Sequence, residues 1–117
     1  MFEDRIVVGL YEPVIILSNG ELKEILARID TGATRSSIDM RLAAELKLGP
    51  IIENRLVKSA HGNKLRPVVK VKLKLAGKET EELFTIADRS HMTYKILIGQ
   101  NVLKQGFIID PIKEVKE

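Results

Sequence analysis

Between Val69 and Leu75 the chain alternates strictly: Val69, Val71, Leu73 and Leu75 are separated by Lys70, Lys72 and Lys74. Successive side chains point to opposite faces only in a strand, so this stretch reads as a β-strand with one buried and one wet face. It forms the second arm of a hairpin. Arg55 to Ser59 makes the first arm, His61-Gly62-Asn63 the turn, and Leu65 to Leu75 the return.

The remaining signals fit the same class. Ile6 to Tyr11 and Val14 to Leu17 are short runs rich in β-branched residues, and Asn19-Gly20 is a hairpin turn signal ahead of Glu21 to Ile29. Glu82 to Ala87 and Ile96 to Ile98 read as further strands. One helix is expected near Asp39 to Leu48, capped by Asp39 or Ser37 and stopped by Gly49-Pro50. A shorter helical stretch, Gln100 to Gln105, ends at Gly106 before Phe107-Ile108-Ile109. Lys113 to Glu117 reads as a frayed end. The expectation is a mostly β chain with one or two short helices, closed into a small barrel-like sheet.

At 117 residues with 44% hydrophobic content, the chain fits one ordinary domain, residues 1–117, with a real core. With no cysteine and only two histidines, His61 and His91, it offers no thiolate chemistry and no His-rich metal site; neither a metal nor another cofactor is expected. Met1-Phe-Glu-Asp-Arg lacks the basic-then-apolar pattern of a signal peptide, and no apolar run approaches the roughly 18 residues of a membrane span. A cytoplasmic protein away from the membrane is expected. Between Arg55 and Lys78 stand eight basic residues and no acidic one. They read as a solvated strand face, with an attractor for an acidic partner as the sharper alternative. Aromatic content of 4%, no tryptophan and a net charge of only +3 argue against nucleic acid.

Asp30-Thr31-Gly32-Ala33 follows an apolar strand, where a strand-ending turn is the plain reading. These residue types also suit hydrolysis by paired aspartates. Two carboxylates about 3 Å apart share one proton; the ionised one activates a water and the protonated one binds the scissile carbonyl. Thr31 supplies a bracing hydroxyl, and Gly32 permits close backbone approach. Of five aspartates only Asp30 precedes Thr-Gly, so the paired chemistry requires a symmetric homodimer with the site on its two-fold axis.

The sequence resembles the retropepsin-like aspartic peptidases. It is closest to the family named ATP-dependent zinc proteases, associated with RimK-type ATP-grasp ligases. The resemblance runs nearly end to end. It is carried by Val8-Gly9 and Glu12, Ala27 to Ala33, Ser36-Ser37, Ser59 to Gly62, Arg66 to Val69, Asp88-Arg89, Met92 to Tyr94 and Leu97-Ile98-Gly99. It implies a retropepsin-like barrel, homodimeric, with Asp30 as the catalytic aspartate and Thr31 and Gly32 packing the paired loops. The hairpin tip at His61, Gly62 and Asn63 would be a flap over the bound peptide, Ala33 would be another substrate-binding residue, and Leu97 to Gly99 would lie under the catalytic loop. Asp88-Arg89 reads either as a local turn or as a recognition element near the cleft, with Arg66 as a second candidate cation. Where viral retropepsins carry an ion pair stiffening the dimer, this chain has Thr34 and Gln100; Arg35, Lys95 and Gln100 depart from the closer family.

The function expected is therefore a homodimeric aspartic endopeptidase acting on a peptide or protein substrate, an acidic one if the basic stretch contributes. Family association points to an ATP-grasp ligase as partner. The alternative is a non-catalytic peptide-binding or regulatory module on the same fold.

Overall fold

The computed structural model describes residues 4–60 and 62–115. Among them run nine strands and two short helices: β1 (Ile6–Val8), β2 (Tyr11–Ser18), β3 (Glu21–Ile29), β4 (Ser36–Asp39), α1 (Met40–Glu45), β5 (Ile51–Ser59), β6 (Gly62–Leu75), β7 (Lys78–Ala87), β8 (Ile96–Ile98), α2 (Gln100–Leu103) and β9 (Phe107–Ile109). Hydrogen bonding orders the main sheet β2-β3-β8-β4-β7-β6 with β5 outside β6. The far end of β6 pairs back onto β2, Val14 against Leu75 through Leu17 against Lys72. Six strands thus close into a barrel without free edges, and β5 keeps one unpaired edge. The mostly β, closed-barrel expectation with two short helices holds.

The alternation in β6 does what its period requires. Val69, Val71, Leu73 and Leu75 are fully buried, against Phe84, Ile16, Ile38, Ile96 and Ile98 in the core. Lys70, Lys72 and Lys74 face outward. They are not a bare cationic stripe, because β7 sets Glu81 opposite Lys72 and Glu79 opposite Lys74. Opposite charges facing each other across a ladder are mildly stabilising and cancel at a distance. The solvated-face reading therefore describes this part of the basic stretch, and the concentrated positive charge lies at its other end, in the β5–β6 hairpin.

Several boundaries differ from the sequence reading. The Asn19-Gly20 turn forms as expected, both residues at positive φ (51° and 78°), with Ser18 paired to Glu21. At the β5–β6 tip Ser59 pairs with Gly62, so the chain reverses earlier than His61-Gly62-Asn63 and both Gly62 and Asn63 belong to the strand; His61 lies outside the described residues. Helix α1 ends at Glu45, short of Gly49-Pro50. Lys47 takes the left-handed conformation (φ 54°), its N–H bonds Ala44 O, and the Leu48 N–H closes onto Ala43 O. This Schellman arrangement satisfies the last carbonyls before the glycine is reached. The C-terminal segment is tied down at Lys113, whose Nζ bonds Glu12 Oε2 at 2.8 Å and Val7 O at 3.1 Å. Glu12 is buried and also accepts the Gly9 N–H at 2.7 Å. With β1 parallel to β9, this contact joins the two ends of the described chain. No helix among the described residues is long and apolar enough to cross a membrane.

Candidate active site

Asp30 is placed by sheet pairing. Strand β3 runs parallel to β8, with Ile29 beside Ile98, and the first residue past the strand continues the ladder: Asp30 N–H donates to Ile98 O at 2.9 Å. The chain then turns sharply. Gly32 N–H donates to Asp30 Oδ1 at 2.9 Å, an Asx-type closure that fixes the carboxylate's orientation. Asp30 Oδ2 accepts no hydrogen bond among the described residues, and the side chain is half-buried. The Thr31 hydroxyl likewise has no partner among them. The Thr31 carbonyl accepts from Gln100 Nε2 at 2.8 Å, so a neutral amide from the start of α2 grips the same loop.

Beneath the loop the fit is tight. A Cβ on Gly99 would lie 2.2 Å from Arg35 O and 2.8 Å from Ala33 O, inside van der Waals contact, so only glycine allows this approach. The start of α2 then bonds the loop directly: Gln100 N–H to Ala33 O at 2.8 Å and Asn101 N–H to Thr34 O at 3.2 Å. Ser36, fully buried, accepts the Gly99 N–H at 2.9 Å and donates to Asn101 Oδ1 at 2.8 Å. Asn101 in turn donates to Leu83 O at 2.9 Å, which anchors the cluster to β7.

Arg89 is the second fixed group. Its backbone N–H donates to Asp39 Oδ1 at 2.8 Å, its Nε to Tyr94 O at 3.0 Å and its Nη1 to Ser37 Oγ at 3.4 Å. Burial pulls the guanidinium pKa below its ordinary value, against the opposing pull of Asp39 and then Asp30. An arginine so placed remains a cation at neutral pH. Asp88 parts company with its neighbour. It is exposed, and hydrogen bonds from Ser90 hold its carboxyl below the usual range.

Two open recesses meet at Leu97. One, of about 330 Å³, is lined by Arg28, Asp30, Arg89, Met92, Tyr94 and Leu97. The other, of about 540 Å³, lies under the β5–β6 hairpin and includes Ala33, Arg35, Arg55, Lys58 and Arg66. The structure thus brings Asp30 together with Arg89, and Ala33 together with Arg66. Gly62 and Asn63 lie out along the hairpin and Asp88 on the adjoining turn; none of them lines either recess. Sequence reasoning missed Ser36 and Asn101 as supports and Asp39 as the anchor of Arg89. Ser36-Ser37 and the helix-capping aspartate were visible, but nothing in one sequence links them to partners 65 and 50 residues away. His91 is exposed, and among the described residues no three His, Asp or Glu side chains group as metal ligands. The described residues do not fit the zinc site that the resembled family's name implies.

A family model described as RimB-like, retropepsin-like aspartic endopeptidase RimB, matches residues 41–116, well over half of the chain. A probable alpha-L-glutamate ligase of Desulfotalea psychrophila is 33% identical over 63 residues, which span 53% of this chain and 14% of that protein. Among solved structures, a Legionella pneumophila protein of unknown function, Lpg0085, superposes with a TM-score of 0.68 at 18% identity, over 95% of this chain and 97% of the other. EIAV protease complexed with the inhibitor HBY-793 gives 0.61 at 21% identity, over 87% and 88%. Simian foamy virus protease gives 0.58 at 22%, over 80% and 92%. At these identities the likeness is one of fold.

Proposed function

The chain belongs to the RimB-like family of retropepsin-like aspartic endopeptidases, and from that membership we propose that residues 1–117 form one domain of a homodimeric peptidase whose site pairs Asp30 with Asp30 of a second copy. The observation that carries this reading is the state of the Asp30 carboxylate. One oxygen is locked by Gly32 N–H and the other has no partner among the described residues, while the residue itself lines a recess. A single carboxylate is a poor catalyst for amide hydrolysis; two sharing a proton supply a base and an acid together. The ionised member takes a proton from water, whose oxygen attacks the scissile carbonyl carbon. The protonated member donates to the carbonyl oxygen. Collapse of the tetrahedral diol then breaks the C–N bond as a proton passes to the leaving nitrogen. Thr31, Gly32, Gln100 and the Gly99 approach hold the loop in place, and the β5–β6 hairpin covers the substrate as a flap whose tip includes His61, Gly62 and Asn63.

The substrate class proposed is an acidic peptide. Arg35, Arg55, Lys58 and Arg66 in one recess and Arg89 in the other present cations along the cleft. The matched segment in a probable glutamate ligase supports a ligase that adds acidic residues as functional partner. The test is cleavage of a mixed peptide library by wild-type and Asp30→Asn protein from acid to neutral pH. Products from wild type alone are expected, rich in acidic residues around the cleaved bond. No products from a folded dimer would turn the reading to a peptide-binding module, which the neutral Gln100–Thr31 contact, in place of an ion pair, would suit.

A further inference from the structure

The β5–β6 hairpin contains an arrangement that folding alone does not favour. Arg55 and Arg66 are direct cross-strand partners, so their side chains share one face of the ladder. Like charges set opposite one another destabilise a strand pair. Neither guanidinium is fully satisfied. Glu53 bonds Nη2 of Arg55, while Nη1 of Arg55 and Nε of Arg66 are buried without a hydrogen-bond partner among the described residues. A buried donor of a charged group left unpaired costs more than the average hydrogen bond is worth. Arg66 is also felt electrostatically at Arg89, so the positive charge extends from the hairpin toward the Asp30 recess. Across the described residues this hairpin stands out from the rest of the sheet, where Lys72 and Lys74 each face a glutamate.

Both arginines line a recess whose other lining residues include Arg35 and Lys58 and no acidic side chain. The planar, forked donor geometry of arginine matches a carboxylate. We propose that Arg55 and Arg66 form a carboxylate-operated latch: a substrate side-chain carboxylate inserted between them neutralises their repulsion and locks the β5–β6 hairpin in its ordered position. This rests on the peptidase reading and adds to it that an acidic side chain is needed to set the hairpin as well as to bind. Binding energy from a remote side chain is thereby used to order a part of the site, the logic of induced fit. Ile51–Ser59 has an unpaired outer edge, so ordering of this arm depends on its one ladder to β6 and on what occupies the recess.

The test uses backbone hydrogen exchange on the full chain carrying Asp30→Asn, so that bound peptide stays intact. Exchange of the amides in 51–58 and 63–68 is followed without ligand, with a tetra-glutamate peptide, with its tetra-glutamine counterpart and with inorganic phosphate at matched ionic strength. The expected result is slowing of about ten-fold or more by the glutamate peptide, with little change from glutamine or phosphate. In Arg66→Met the slowing is lost, yet the free hairpin exchanges no faster than in the parent, because the substitution removes repulsion and an unpaired donor. Equal slowing by the glutamine peptide, full slowing by phosphate alone, or a free Arg66→Met hairpin that opens faster would each overturn the latch. None of these readouts involves turnover, so loss of the latch and loss of the Asp30 mechanism are separately visible.

Discussion

The Asp39 carboxylate holds two segments at once: Oδ1 accepts the Arg89 N–H at 2.8 Å, and Oδ2 accepts the N–H groups of Arg41 and Leu42 at 3.2 and 3.4 Å. One buried side chain, 4% exposed, thus caps α1 and sets the loop that carries Arg89 beside Asp30. Asp39→Ala should lose about 1 kcal/mol for the cap and a further 1–3 kcal/mol, roughly, for the stranded Arg89 N–H. Urea unfolding measures the sum. Asp39→Asn, which keeps one acceptor oxygen and turns an NH2 toward a donor, should fall between the two proteins.

Gly99→Ala should be among the most damaging single changes. The added methyl meets two backbone carbonyls and no flexible side chain that could move aside. Overpacking of this kind typically costs about 1–3 kcal/mol, with the upper end expected against rigid backbone. Thermal melting reads the loss. Gly20→Ala is the control, since its added Cβ meets nothing within 4 Å and the cost comes only from its positive φ. A melting point for Gly99→Ala equal to wild type would contradict the packing described under the loop.

Ser36→Ala strands the Gly99 N–H and leaves Asn101 Oδ1 with the Val102 N–H alone, so a loss of about 1–3 kcal/mol is expected for a fully buried site. Asn101→Ala should cost a similar amount. Because the two residues share one hydrogen bond at 2.8 Å, their effects should not add. A double-mutant cycle in denaturant measures the coupling, and strict additivity would mean the Ser36–Asn101 bond contributes nothing.

The Asp88 carboxyl lies below its ordinary range because Ser90 bonds its ionised form. A carboxylate depressed in the folded state adds stability above its unfolded pKa, and that contribution disappears as pH falls through the folded value. The window therefore lies below the ordinary 3.8. Asp88→Asn should flatten the acid limb of stability against pH there, leaving the variant less stable than wild type at neutral pH and equal to it once the pH has fallen below the folded value. Carbon-detected NMR titration of the Asp88 carboxyl reads the depressed pKa directly.

Breaking the Glu12–Lys113 contact should loosen the joined ends of the chain. Lys113→Met leaves a buried carboxylate with only the Gly9 N–H, and because Lys113 is itself about one-third exposed, the expected cost is about 1–2 kcal/mol, below that of a fully buried pair. Faster amide exchange in Ile6–Val8 and Phe107–Ile109 would accompany it. Glu12→Gln, which removes the charge as well as the pair, should cost less.

What could be read from the sequence was what lies close together along it. The β6 alternation and the Asn19-Gly20 reversal are local patterns with one physical solution each, and Asp30 to Ala33 are contiguous. The end of α1 departs from its sequence signal: Gly49-Pro50 is a strong stop, yet the chain terminates its helix earlier, with Lys47, an unremarkable residue in a left-handed conformation. The Arg55–Arg66 pairing was hidden by a register question. Placing the reversal at His61-Gly62-Asn63 instead of pairing Ser59 with Gly62 shifts which residues stand opposite, and side-chain facing depends on that register. Asp39 to Arg89 and Ser36 to Asn101 are contacts between distant strands whose partners are chosen by topology alone.

Strand β6 is continuous from Gly62 to Leu75, yet its first half pairs with β5 and its second half with β7 and β2. The projecting arm and the barrel wall are therefore one piece of chain, and they cannot vary independently. Residues added beyond Ser59 and before Gly62 lengthen the arm and leave the wall in phase. One residue added near Val68 would turn Val69, Val71, Leu73 and Leu75 outward and bring three lysines into the core. Length variation among functional relatives of this chain should accordingly gather at the tip of the arm and stay away from its root.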